Sequence, residues 1–402
     1  MRQIHLWREE AIESDGLTTV SVTIELSNQG RSRLWYRVPS EYGELLTPSC
    51  DPFVVATIFL AMSKRADMVV HGEASPSLLQ NLAEFQAAWR AWRPYHYGQI
   101  EIAAEVEREA SQTGDKAIAA FSGGVDSCFT VFRHQRGRCG RFQRHVKAGL
   151  MIHGFDIPLE QQQVFSVAAE KSKKMLASLG VELIPMATNF REIKQDWEDA
   201  FGAGTASCLM LLQGGFTAGL VGSSDPYIAL NLPYGSNPIT DHLLSSRAFQ
   251  IVCDGASFTR LEKVKEIADW PEALQNLRVC WQGDSLESNC GRCEKCIRTI
   301  LNFRVMGLGL PPCFEQDVTE SQILGIKGLK KAQLIELDPI LEAAKAAGIS
   351  DLWVSALKNC IYRNRLMAAL EEAESAIKQR VPLRLKYKLR QLRSRLPRTT
   401  KG

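Results

Sequence analysis

The chain has 402 residues, 45% of them hydrophobic and 23% charged, and a net charge of +3. That length predicts two or three domains with cores of their own, and the composition excludes disordered, collagen-like and disulfide-stapled classes. No apolar run approaches the ~20 residues of a membrane span and the N-terminus lacks a signal peptide's apolar core, which predicts a cytoplasmic protein.

Residues 1–110 read as an N-terminal α+β module. Leu17-Thr-Thr-Val-Ser-Val-Thr-Ile-Glu-Leu26 alternates like a half-buried strand, Asn28-Gln-Gly30 turns the chain, and Arg33-Leu-Trp-Tyr-Arg-Val-Pro39 returns. Asp51-Pro52 starts a helix, because Asp can cap and Pro is tolerated in a first turn. Met68–Gly72 reads as a further strand, and a second helix runs from Ser75-Pro76 to about Trp92. Leu79, Leu82, Phe85, Trp89 and Trp92 recur along it at helical spacing, a stripe that predicts core packing before ligand binding. No catalytic constellation falls here, so the module is expected to serve homo-oligomerisation or substrate recruitment.

Residues 111–300 alternate strand and helix, which implies an α/β domain with a parallel sheet. The short strand Lys116–Phe121 runs into Ser122-Gly123-Gly124-Val125-Asp126-Ser127, which opens a helix. Two glycines let backbone approach a ligand closely, and the helix start offers free N–H groups and a positive dipole end to phosphate. Ser122 and Ser127 add hydroxyls at the two ends of that cradle. The lysine of a Walker A loop is missing, so the cradle suits a whole pyrophosphate better than a γ-phosphate. Ala148–Gly154 is the second strand, and ligands of open α/β sheets sit beyond such carboxyl ends. His153 and Asp156 are therefore candidates for contact with the bound ligand or a metal, or else plain turn formers. A helix over Glu160–Leu179 and a strand over Val181–Met186 follow. Gly202-Ala-Gly-Thr-Ala-Ser207 leads into an apolar helix, Ile228–Leu232 reads as a fourth strand, and Pro233–His242 is a polar loop, either an acceptor-substrate site or plain surface. Thr259 and Glu262 form a capping-box pattern at the next helix.

Eleven cysteines in a chain of cytoplasmic type argue for free thiols and a metal site. Cys280, Cys290, Cys293 and Cys296 have the spacing of four thiolate ligands, which leaves no open position on a tetrahedral Zn²⁺ and makes the site structural. An iron–sulfur cluster would use the same ligands. Arg292, Lys295 and Arg298 are interleaved where they can offset the thiolate charge. Residues 301–402 read as mostly helical, with Leu334, Leu337, Leu341, Ala344, Leu352 and Leu357 as apolar positions. Residues 378–402 hold ten Lys or Arg and no acid, so the net +3 becomes −7 once that tail is set aside. The mixed basic and apolar stretch 383–393 suits nucleic acid, an acidic partner, a membrane surface or plain solvent.

Ser-Gly-Gly-Val-Asp-Ser after a strand resembles the signature of the ATP pyrophosphatases, the PP-loop enzymes, and implies their doubly wound parallel sheet of HUP-like type. These enzymes cleave ATP, bound with Mg²⁺, between the α- and β-phosphates and leave AMP on an acyl or amide oxygen. Residues Ser122 to Ser127 then hold the nucleotide, and Ser122 and Asp126 carry catalysis. Many members show Lys-x-Glu at a later helix; Arg260-x-Glu262 stands there in this chain, a fork able to take phosphate in bidentate fashion. Taken with the cysteine set, the chain resembles 7-cyano-7-deazaguanine synthase and its QueC-like relatives over about residues 115–305. It departs from the synthase at Gly154-Phe-Asp-Ile-Pro158, where a Tyr-Gly-Gln segment is usual, and in its two flanking regions. The resemblance implies adenylation of a carboxylate and transfer of the acyl group to an amine. Larger QueC-like proteins in anti-phage operons imply a protein acceptor. Nitrile formation from ammonia and tRNA modification are the alternatives.

Overall fold

The computed structural model describes residues 2–27, 30–111, 114–282, 287–329 and 331–380. They belong to two compact units, Met1–Val318 and Thr319–Gly402.

The first unit opens with β1 (Gln3–Arg8), β2 (Ile12–Ser14), β3 (Leu17–Leu26) and β4 (Gly30–Pro39). Alternation decides their faces: Val20, Val22 and Ile24 of β3 and Leu34, Tyr36 and Val38 of β4 are buried, with Val22 opposite Leu34. Helix α1 (Asp51–Lys64) is buried on all sides from Asp51 to Met62. Asp51 does not cap its own helix. Its carboxylate accepts from the N–H and hydroxyl of Ser75 at 2.7 and 2.6 Å, fixing the start of α2 (Pro76–Trp92). Between the helices lies β5 (Asp67–Ala74), and β6 (Ile102–Glu107) follows them. The aromatic stripe of α2 is core: the Phe85 and Trp89 rings meet Phe59 edge-on at 5.5 and 4.7 Å.

Strands β7 (Lys116–Ala120), β8 (His145–His153), β9 (Glu182–Thr188) and β10 (Ala218–Gly222) alternate with α3 (Val125–Gln135), α4 (Gln162–Ala177) and α5 (Trp197–Met210). Strand β11 (Gln250–Asp254) completes one sheet of order β11-β10-β7-β8-β9-β4-β3-β1-β5-β6, with β2 beside β3. From β11 to β9 all pairs are parallel. Strand β4 joins antiparallel, Tyr36 opposite Thr188, and the Asn189 side chain locks the seam by accepting from the Trp35 N–H at 2.9 Å. The boundary expected near residue 110 thus falls between an edge strand, β6, and an inner strand, β7, of the same sheet. The fold is α/β, a mixed and mostly parallel sheet flanked by helices and compatible with a Rossmann-like arrangement.

Two expected elements differ. Ile228–Leu232 is no strand: a single 3-10 turn spans Tyr227–Ala229, and Ile228 is 70% exposed. The fourth strand is instead Ala218–Gly222, the short apolar run Ala-Gly-Leu-Val-Gly buried on both faces, which shows no alternation to read. Helix α5 starts at Trp197, where Asp196 accepts from the Asp199 N–H, so Gly202 and Gly204 lie inside it and not at its start. They are small for packing: a Cβ at Gly202 would come within 2.0 Å of the Gly235 carbonyl.

In the second unit, α9 (Glu320–Gly325) is preceded in the chain by α6 (Arg260–Ile267), α7 (Pro271–Asn276) and α8 (Glu294–Val305) of the first unit. It is followed by α10 (Lys331–Ala346) and α11 (Leu352–Arg380). Leu334, Leu337, Leu341, Ala344 and Leu357 are buried as expected, whereas Leu352, at the first turn of α11, is 76% exposed. Asn364 holds the unit's turns together, donating to the carbonyls of Ile326 and Cys360 at 3.0 and 2.9 Å. The basic stretch 383–393 lies outside the described residues. No helix among the described residues is long and apolar enough to cross a membrane.

Candidate functional site

Strand β7 ends where the sheet changes direction: its chain continues to β8 on one side, while β10 arrives later on the other. A crevice opens beyond the strand ends at such a point, and the loop 121–127 occupies it. Gly123 has φ +73, a conformation that costs a residue with Cβ about 1–2 kcal/mol. Its carbonyl accepts from the Arg278 N–H at 2.7 Å. Gly124 is the N-cap of α3, and among the described residues the N–H groups of Gly123, Val125, Asp126 and Ser127 have no hydrogen-bond partner. Ser127 Oγ sits 3.4 Å from Ser122 Oγ, bringing both hydroxyls to the mouth of this N–H cluster. The helix start and the free donors make an anion cradle.

Asp126 turns away from the cradle toward α6. Its carboxylate accepts from Arg260 Nη1 at 3.1 Å and from Lys263 Nζ at 2.9 Å. Lys263 is 1% exposed and also donates to the Ser223 carbonyl. Burial pushes the Asp126 carboxyl up, but Lys263 and then Arg260 outweigh it and hold the group below the usual carboxylate value. The Thr259–Glu262 capping box is formed and sets the first turn of α6, so Arg260 and Lys263, three residues apart, share one face. The sequence reading missed Lys263; its signal was that three-residue spacing from Arg260. Among the described residues the Arg260 Nε–H is buried without a protein partner, as expected of a fork beside an anion site.

The other expected site residues divide. His153 donates from Nε2 to the Pro158 carbonyl at 2.8 Å and stacks on Phe165 at 4.4 Å. Burial lowers its pKa against the opposing pull of the Pro158 carbonyl and Glu160. Asp156 is exposed as a residue, but protein crowds its carboxyl, and that desolvation raises the pKa against the pull of Lys295 and Arg191. Asp225, from the loop after β10, is raised by burial and by Asp126. Both acids, with Asp126, also raise the Tyr234 hydroxyl, which burial and these charges push to about 12. From Tyr234 a row of half-buried rings leads outward through Phe201 (5.1 Å), Trp197 (6.0 Å) and Phe155 (5.1 Å).

The loop 233–242 is shaped by a buried carboxylate. Asp241 accepts from Ser236 Oγ at 2.7 Å and from the Asn237 N–H at 2.9 Å, yet burial raises its pKa from 3.8 to about 6. A raised folded-state value means that the folded protein binds the proton more tightly than the unfolded chain. Stability is expected to decline as pH rises from about 4 to 6, by up to about 3 kcal/mol from this group. Urea melts across that range should show the decline in the wild type and lose most of it in Asp241→Asn.

The four cysteines converge. Their sulfurs all lie within 4.8 Å of one another, with Cys296 3.3 Å from Cys280 and 3.8 Å from Cys290. A tetrahedral ion with M–S bonds of about 2.3 Å sets its sulfurs about 3.8 Å apart, so the set could hold one metal ion such as zinc. The Cys293 and Cys296 thiols donate to Cys280 Sγ, which lowers the pKa of Cys280 and raises those of the two donors, so the set shares its protons until an ion replaces them. Cys290 and Cys293 contribute backbone donors as well, at 3.4 Å to Cys280 Sγ and 3.3 Å to Cys290 Sγ. This knot reaches the loop through one residue. Arg278 Nε donates to the Cys280 carbonyl at 2.9 Å, and the same residue's N–H holds Gly123. Of the interleaved cations, Arg298 is paired with Glu294 at 2.8 Å.

The loop 122–127 is thus tied to α6 through Asp126 and to the four-cysteine pocket through Arg278. Compared with protein-family models, curated proteins and solved structures, the chain matches none of them.

Proposed function

We propose that this chain is an ATP-dependent ligase of the PP-loop, QueC-like kind, which adenylates a carboxylate, releases pyrophosphate and passes the acyl group to an amine. The observation that carries this reading is the set of unpartnered N–H groups of Gly123 and Val125 to Ser127 at the switch point. They suit the negative charge that grows on a departing pyrophosphate, and being fixed by α3 they need no reorganisation as it grows. The Ser122 hydroxyl and the free Arg260 Nε–H would add donors, while Ser127, donating to the Gly124 carbonyl and accepting from the Ser122 N–H, would brace the loop. Asp126, with both oxygens engaged, acts in this reading as a positioning residue that holds Lys263 and Arg260 beside the cradle. Mg²⁺ bound with ATP would supply further charge neutralisation.

The half-buried Trp197, Phe201 and Tyr234 rings favour a planar acid such as a deazaguanine carboxylate, since flat rings stack with little entropy loss. A protein amine as acceptor, in anti-phage defence and in the cytoplasm, follows from the resemblance and from the flanking regions. The four-cysteine pocket is read as a structural zinc site, one ion per chain, because four thiolates leave no position for substrate.

The test is product analysis. With ATP and a deazaguanine carboxylic acid, the protein is expected to form AMP and pyrophosphate, with intact mass revealing an acylated protein when the partner is present. Free nitrile from ammonia would assign the chain to the synthase reaction instead, and ADP with phosphate would overturn the ligase reading altogether.

A further inference from the structure

Far from the loop, the outer face of the N-terminal strands carries a second convergence of ligand atoms. On β1, Ile4 and Leu6 point into the core while His5 and Trp7 point out, and Trp7 is 41% exposed. Strand β5 runs beside β1 with His71 opposite Trp7, and β6 lies beyond β5 and brings Glu105. His5 Nδ1 is 3.0 Å from His71 Nε2, and the other nitrogen of His71, Nδ1, is 2.7 Å from Glu105 Oε1. The Trp7 ring lies flat on His71, centroids 3.3 Å apart and planes 3° from parallel.

The carboxylate decides the tautomer. With Glu105 accepting from His71 Nδ1, Nε2 accepts from the His5 Nδ1–H, and an ion taking the place of that proton leaves His5 protonated on Nε2 instead. A carboxylate behind an imidazole, fixing its ring and raising the basicity of the far nitrogen, is the arrangement that metal-bound histidines use. With M–N bonds of about 2.0–2.1 Å, two nitrogens 3.0 Å apart subtend about 94° at the ion, the angle of neighbouring positions in square or octahedral shells. We propose that His5 Nδ1 and His71 Nε2 form a two-histidine site for a divalent ion of the nickel–copper type, backed by Glu105 and roofed by Trp7, with water completing the shell. The ion would clip the first strand of the chain to β5.

The test uses the full chain with its cysteine site already loaded with zinc. Isothermal titration with Ni²⁺ is expected to show one further equivalent, and Cu²⁺ should quench tryptophan emission over the same equivalent. His5→Gln and His71→Gln should each remove that equivalent, and Glu105→Gln should weaken it about 10–100-fold. Trp7→Phe should keep the Ni²⁺ equivalent but lose most of the quench. Should a histidine variant fail to fold, Glu105→Gln still decides, because that side chain is more than half exposed and its loss leaves the core intact. No uptake beyond the cysteine site, or undiminished uptake in His5→Gln, His71→Gln or Glu105→Gln, would overturn the proposal.

Discussion

Replacing Asp126 with Asn is expected to lower AMP and pyrophosphate formation by about 10³-fold and to destabilise the protein by about 2–3 kcal/mol. The two effects have one origin. The carboxylate is the common partner of Arg260 and of Lys263, and Lys263 is 1% exposed. Without it two cations remain in a poorly solvated place, and breaking a buried pair costs up to 3–5 kcal/mol; Asp126 is 23% exposed, which puts the expectation at the lower end. The double variant Asp126→Asn/Lys263→Met removes one of the stranded charges and should recover much of the stability but none of the activity. Because the folded state holds the Asp126 pKa below its unfolded value, its stabilisation is present above the unfolded value and lost as pH falls through the folded one. Denaturant melts and product assays on the three proteins provide the check. Activity of Asp126→Asn within a few-fold of wild type would show that the ionic brace has no part in the reaction.

Removing the metal, by chelation or by Cys293→Ser, is expected to lower Tm by about 10 °C or more, since metal binding to such a pocket contributes folding energy directly. It should also weaken ATP binding, although no cysteine belongs to the anion cradle. The link is Arg278, which bonds the Cys280 carbonyl through Nε and the Gly123 carbonyl through its N–H. When the knot loosens, the residue that holds Gly123 at positive φ loosens with it. Metal analysis should find about one zinc per wild-type chain and none in Cys293→Ser. Cys313→Ser is the control: Cys313 is a free cysteine outside the cluster, and its loss should leave metal content unchanged. A metal-free protein with unaltered Tm and nucleotide affinity would refute both the structural role and the coupling.

What could be read along the sequence shares one physical property: its cause lies within a few residues. Alternation predicts β3 and β4 because strand faces repeat every second residue, and β-branched side chains suit them. The Thr259–Glu262 box is a bond across one helical turn, and it formed as expected. The loop 122–127 needs only its own glycines and the helix it opens, and the cysteine spacing needs only a short reach of chain, so both stood out before any fold was known.

The tertiary structure alone decided the rest. That residues 1–110 continue the same sheet depends on Tyr36 meeting Thr188, which no local pattern encodes. Strand β10 was hidden because a strand buried on both faces carries no alternation, and two glycines and an alanine in five residues dilute the strand propensity of Val221. Lys263 reaches Asp126 across 137 residues, and His5 reaches His71 across 66. Such pairs cost loop-closure entropy that only the assembled core can offset, so their partners are chosen by the packing of whole elements and not by the residues beside them.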